Sequence, residues 1–174
     1  MITKGYRHIA GLLSRVPDAA LLIARVILGG LMLLHGLRKF QAPGGVSSFQ
    51  HVLTTLPNVP FPGFTGAVLP WVETVGGALL LIGALTRVAA LVLAAEMGII
   101  AGLVKFGDMH AGLVGPAQAP GSGAEIEFLY LAGLLILLVL GPGRVSLDTV
   151  ARLEAGAPAR RREQPAGQPS SLPS

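Results

Sequence analysis

Five ionisable side chains lie inside runs of apolar sequence: Arg25, His35, Lys39, Glu73 and Glu96. A charge at the centre of a bilayer costs roughly 2.5–3.5 kcal/mol on insertion scales, so each must meet a partner, face a bundle interior or reach water. The carboxylates are the more telling. Arg25 and Lys39 have long stems that can carry their charge to an interface, whereas Glu73 and Glu96 cannot reach far. Groups of this kind, paired away from lipid, can relay a proton, hold the polar head of a ligand or fix how helices pack.

The elements that position them are apolar spans. The chain has 174 residues, 52% hydrophobic and 13% charged, with a mean hydropathy of +0.67. That composition suits lipid contact better than a water-facing surface. Four stretches, 19–40, 64–85, 88–104 and 126–140, read as transmembrane helices, the last two short for a bilayer that takes about 20 residues to cross. The expected fold is an all-α integral membrane four-helix bundle spanning 18–150. A basic segment, 1–17, precedes it, and a disordered, proline- and arginine-rich tail, 151–174, follows it. Between the first two spans, 45–56 places Val46, Phe49, Leu53 and Leu56 on one helical face, as a short amphipathic helix on the outer surface would.

Lysine and arginine placement sets the direction. Lys4, Arg7, Arg15, Arg87, Arg144, Arg152, Arg160, Arg161 and Arg162 fall on one side, against Arg38, Lys39 and Lys105 on the other. Both termini are therefore expected in the cytoplasm, with the protein in a bacterial inner membrane. Counting helix rise from the span ends puts Arg25 about 10 Å and Glu96 about 13 Å from the cytoplasmic edge, and Glu73 about 10 Å below the outer edge. The depths predict two pairings, Arg25 with Glu96 and Glu73 with Lys39 or His35. On a helical wheel Arg25, Met32, His35 and Lys39 share a stripe, and Arg38 points the other way. Glu73 shares its face with Gly77, and Gly98 and Gly102 form a small-xxx-small pair expected to let helices approach closely. Glu125 and Glu127 suit the amino terminus of the last span. Arg144 and Asp148 are spaced for an i, i+4 ion pair.

Several chemistries fall away. The chain has no cysteine, so dithiol chemistry and thiolate-held clusters need another protein. Only His35 of the four histidines lies in a span, which leaves no intramembrane histidine pair for haem and no histidine set for a metal. The net charge of +4 comes from residues at span ends and in the tail, which is topology and not a nucleic-acid groove.

The motifs HGLRKF at 35–40, ETVGGALLLIGALTR at 73–87, Glu96 and GPGRVSLD at 141–148 together resemble the DoxX family of small bacterial membrane proteins. On that resemblance Gly36, Gly76, Gly77, Thr86, Arg87, Arg144 and Asp148 are motif positions. It implies a subunit of a redox-linked, quinone-associated complex with no covalently bound cofactor. The expected partners are the lipid bilayer, a soluble or membrane redox protein and further copies of the chain. In this scheme Glu73 and His35 exchange protons, Lys39 tunes the carboxylate, and Arg25 with Glu96 fixes register. Two other readings stand beside it: a small-solute or proton permease, and a scaffold without chemistry.

Overall fold

A computed structural model describes residues 16–116, 119 and 122–151. The terminal segment and tail expected at 1–17 and 151–174 lie almost wholly outside the described residues, together with most of the basic side chains that set the expected direction. The described residues form helices joined by turns and loops, without strands, in the order α1 (Val16–Gln41), α2 (Gly45–Thr54), α3 (Pro62–Ile82), α4 (Thr86–Ile99), a π-helical continuation (Ile100–Asp108), α5 (Glu125–Leu140) and α6 (Leu147–Ala151).

Three helices are long and apolar enough to cross a membrane: Asp18–Gln41, Pro62–Ile82 and Thr86–Asp108. α5, at 16 residues, reaches about 24 Å, short of a hydrocarbon core of about 30 Å. The molecule is apolar on both sides of its helices. Met32, Leu80, Leu93, Leu134 and Leu137 are fully enclosed, while Ile23, Trp71, Val88, Leu129 and Ile136 stand outward. An outer surface of this kind is what lipid covers without cost.

α1 and α3 cross in close antiparallel contact, and glycine makes the contact possible. A Cβ on Gly36 would lie 2.6 Å from the Thr74 amide and 2.7 Å from the Pro70 carbonyl, and one on Gly29 would lie 2.7 Å from the Leu81 amide. Gly77 meets the backbone of Leu33 from the other side, and Gly76 opens room for Leu93 of α4. This crossing fixes which residues of α1 stand opposite which of α3. Gly98 and Gly102 do nothing similar: a Cβ at either would meet no atom within 4 Å. The pair predicted to mediate close packing lies on an outer face of its helix.

α3 ends earlier than the apolar run suggests. Gly83, at φ 69°, closes it by a Schellman motif, with the Gly83 amide donating to Leu80 O and the Ala84 amide to Leu79 O. The next helix starts on an apolar residue, Leu85, at φ 48°, which has no side chain to cap it. Asp148 supplies the cap from far along the chain. Its carboxylate accepts from the amides of Leu85 (2.6 Å) and Thr86 (2.8 Å) and from the Thr86 hydroxyl (2.7 Å). The Asp148 amide in turn donates to Gly83 O. The expected Arg144–Asp148 pair is thereby overturned, since three donors occupy the aspartate. Arg144 instead stands against Asp18, its amide 3.0 Å from Oδ1 and its Nε 3.9 Å from Oδ2. Segment 141–148 is thus a clasp across the ends of α1, α3 and α4.

Adding one methyl at Gly36 should lower the thermal midpoint of purified protein by the equivalent of about 1–3 kcal/mol, an overpacking cost. Gly98→Ala should leave it unchanged or raise it, and equal effects of the two would contradict the packing described.

Candidate functional site

Opposite the clasp, at the far ends of the helices, a cavity of about 690 Å³ opens between α1, α2, α3, α4, the π-helical segment and α5. Its wall is apolar, contributed by Met32, Leu53, Leu69, Val72, Val92, Ile100 and Leu103 among others. Against that wall stand His35, Lys39, Glu73, Glu96, Glu127 and Tyr130. Four of the five side chains singled out from the sequence therefore meet in one place.

Glu73 is the most enclosed of them, at 1% exposure. Lys39 stands across the α1–α3 contact, its ammonium 2.5 Å from Glu73 Oε1 and 4.6 Å from the centre of the Phe49 ring, which α2 brings over it. A cation held between a carboxylate and an aromatic face is well compensated away from water. Of the two partners expected for Glu73, the lysine takes it. His35 lines the same cavity without bonding the carboxylate.

Glu96 comes to the same place from α4. It lies beside Glu73 with Lys39 within electrostatic reach of both, and it is buried at 6% exposure. The expected pairing with Arg25 is not made. Measuring depth from two separate membrane edges displaced Glu96 from its partner. Measured from the turn that α3 and α4 share, Glu73 lies about ten residues before Gly83 and Glu96 about eleven after Leu85, some 15–17 Å in each case. Two helices of one hairpin carry their residues level when counted from their common turn, and that count places the carboxyls together.

Arg25 is at the clasp. It is 1% exposed, its Nη2 donates to Val145 O, and Gly83 leaves the space its guanidinium fills. Asp148 acts on it electrostatically, while Nε and Nη1 have no acceptor among the described residues. Its work is to hold the segment after α5, so it belongs to the fold and not to the cavity.

Glu127 and Tyr130 are the cavity residues that the sequence did not reveal. Glu127 stands 3.7 Å from Lys105, so its charge does more than complement a helix terminus. Glu125, by contrast, accepts from the Gly115 amide at 3.2 Å and orders the preceding loop. The spacing of Glu127 and Tyr130, three apart on a helix, puts them on one face. That spacing was the available signal. Two adjacent carboxyls and one ammonium make up the charge of the site; the carboxyls lie within hydrogen-bonding reach of each other, and no other described group donates to Glu73 Oε2 or to either oxygen of Glu96. Such a set can accept a proton or take up a ligand that brings donors, and Lys39 can hold an acceptor. The π-helical segment forms part of the wall, with the Met109 amide donating back to Val104 O; distortions of this type displace side chains from regular helical positions and recur at functional sites.

A family model, DoxX, matches residues 20–106, which includes Lys39, Glu73, Glu96 and His35 but neither α5 nor the clasp. The chain is 33% identical to the uncharacterized membrane protein Rv3486 of Mycobacterium tuberculosis, covering 79% of this chain and 84% of that one. It is 30% identical to a Bacillus subtilis protein named "Putative oxidoreductase CatD", covering 73% and 83%. No solved structure matches.

If Lys39 is the counter-charge that allows Glu73 to be enclosed, Lys39→Met should destabilise the protein by up to roughly 3–5 kcal/mol, and Lys39→Met combined with Glu73→Gln should recover most of the loss. Unfolding midpoints in one detergent would measure this; a double variant no better than the single one would contradict it.

Proposed function

Given that the chain belongs to the DoxX family of membrane proteins, we propose that it is an inner-membrane subunit of a redox-linked complex and that its cavity binds the headgroup of a quinone. One observation carries this reading: an apolar cavity of about 690 Å³ encloses an ammonium and two neighbouring carboxyls, three of whose oxygens are bonded by no other described group. Apolar walls suit the tail and ring of a membrane-dissolved quinone. The Lys39 ammonium would hold a carbonyl oxygen of the oxidised form. Glu73 Oε2 and Glu96 would accept from a hydroxyl of the reduced form, so both forms find partners. A bound quinone supplies electron transfer coupled to proton transfer. Glu73 and Glu96 would hold and pass the protons, with His35 in the same cavity as a further proton carrier.

Electrons would come from another subunit or a soluble enzyme; the chain has no thiol, so it supplies neither a dithiol nor a thiolate-held cluster. The name of the Bacillus relative, an oxidoreductase, agrees with such a setting. With α5 as a fourth span, both termini would face the cytoplasm and the cavity would lie toward the outer side. Leu80, Leu93, Leu134 and Leu137, each at 0% exposure, close the space between the carboxyls and the clasp, which favours a binding pocket over a continuous transport path.

Equilibrium binding of a short-chain quinone and its quinol to the purified protein in lipid nanodiscs tests this. Glu73→Gln and Glu96→Gln should each weaken binding at least about tenfold, the cost of one charge-assisted hydrogen bond, and Gly98→Ala should not. Absence of saturable binding, alone and with co-purified partners, would overturn the reading.

A further inference from the structure

A second pocket, of about 360 Å³, lies beside the mouth of the cavity in the angle between the end of α1 and α2. His35, Arg38 and Lys39 supply one wall and Ser48, Phe49 and Val52 the other, and no carboxylate lines it. Lys39 is engaged by Glu73, but Arg38 has no ion-pair partner among the described residues. The pocket is therefore cationic, with the Arg38 charge uncompensated and the Lys39 charge shared with Glu73.

Its level in the molecule is informative. Arg38 and Lys39 occupy the last turn of α1, at the end of a helix long enough to cross a bilayer, where hydrocarbon gives way to headgroups. Leu31 and Leu34, one to two turns deeper on α1, are 46% and 54% exposed. A ligand filling this place would carry a negative head and an apolar chain. A planar guanidinium matches the oxygens of a phosphate in a two-pronged contact.

We propose that the pocket between α1 and α2 holds the phosphate of an anionic membrane lipid, bridged by Arg38 and Lys39, with its acyl chain along Leu31 and Leu34. Lys39 lines both pockets, so the phosphate and Glu73 compete for one ammonium, and the headgroup at the mouth loosens the ion pair in the cavity. This inference shares Lys39 with the quinone reading but does not need a quinone: a protein that binds none can still select the lipid, because the pocket and its depth alone define it.

The single tryptophan, Trp71, packs edge-on against Phe40 at 4.8 Å, close to the pocket, and reports lipid contact by quenching. The full chain is placed in phosphatidylcholine vesicles containing either bromine-labelled phosphatidylglycerol or bromine-labelled phosphatidylcholine. Wild type should prefer the anionic lipid roughly fivefold, Arg38→Gln should bring the ratio to near one, and Arg38→Lys should retain part of it. Ser48→Glu, which places a negative charge in the pocket without touching the cavity carboxyls, should also abolish the preference. Equal quenching by both lipids in wild type, or a preference that survives Arg38→Gln, would overturn the proposal. Loss of the preference on adding inorganic phosphate at constant ionic strength would assign the pocket to free phosphate and overturn the lipid as occupant.

Discussion

One ammonium and two carboxyl groups are held together away from water, and much of the remaining architecture can be understood as what that costs to arrange. An ion pair in a poorly solvated place is tolerated only when its geometry is close and stable. The close geometry comes from backbone contact between α1 and α3, where Gly29, Gly36 and Gly77 remove the side chains that would hold the helices apart. Lys39 meets Glu73 at 2.5 Å because that contact fixes the facing of the two helices. The stability comes from the hairpin of α3 and α4, whose common turn sets Glu96 level with Glu73.

The clasp is the counterpart at the other end. A helix that starts at Leu85 has amides with no carbonyl partner, and the bilayer offers them none. Asp148 satisfies two of these amides and the Thr86 hydroxyl, and a cap of this kind contributes about 1 kcal/mol even in water. Arg25 joins the same cluster through Val145. The two ends of the molecule thus use buried charge differently. At the clasp the aspartate finds donors and the chain is fastened; at the cavity three carboxyl oxygens are bonded by no other described group, which is the condition for binding something else.

Much of this was legible in the sequence. Apolar run length pointed to the all-α membrane fold and to the three helices long enough to cross a bilayer, a one-faced apolar pattern to α2, and the cost of intramembrane charge picked out four residues that meet in the cavity. What failed has identifiable causes. Depth counted from membrane edges, whose position no sequence states, pairs Glu96 with Arg25, whereas the turn shared by α3 and α4 is the better ruler and sets Glu96 level with Glu73. Asp148 was matched to Arg144 because a local spacing is visible in sequence, whereas a cap across 62 positions is not. Gly98 and Gly102 look the same as Gly36 and Gly77 in spacing terms, and only the position of the neighbouring helix separates them. Glu127 and Tyr130 were obscured by an adequate local explanation for an acid at a helix start.

The central claim is that Glu73 and Glu96 face each other beside Lys39. Because the chain has no cysteine, pairs of cysteines can be introduced without background and bridged in native membranes by a short bifunctional thiol reagent. The account predicts efficient bridging for Glu73→Cys with Glu96→Cys and none for Arg25→Cys with Glu96→Cys. Bridging of the second pair in preference to the first would contradict it.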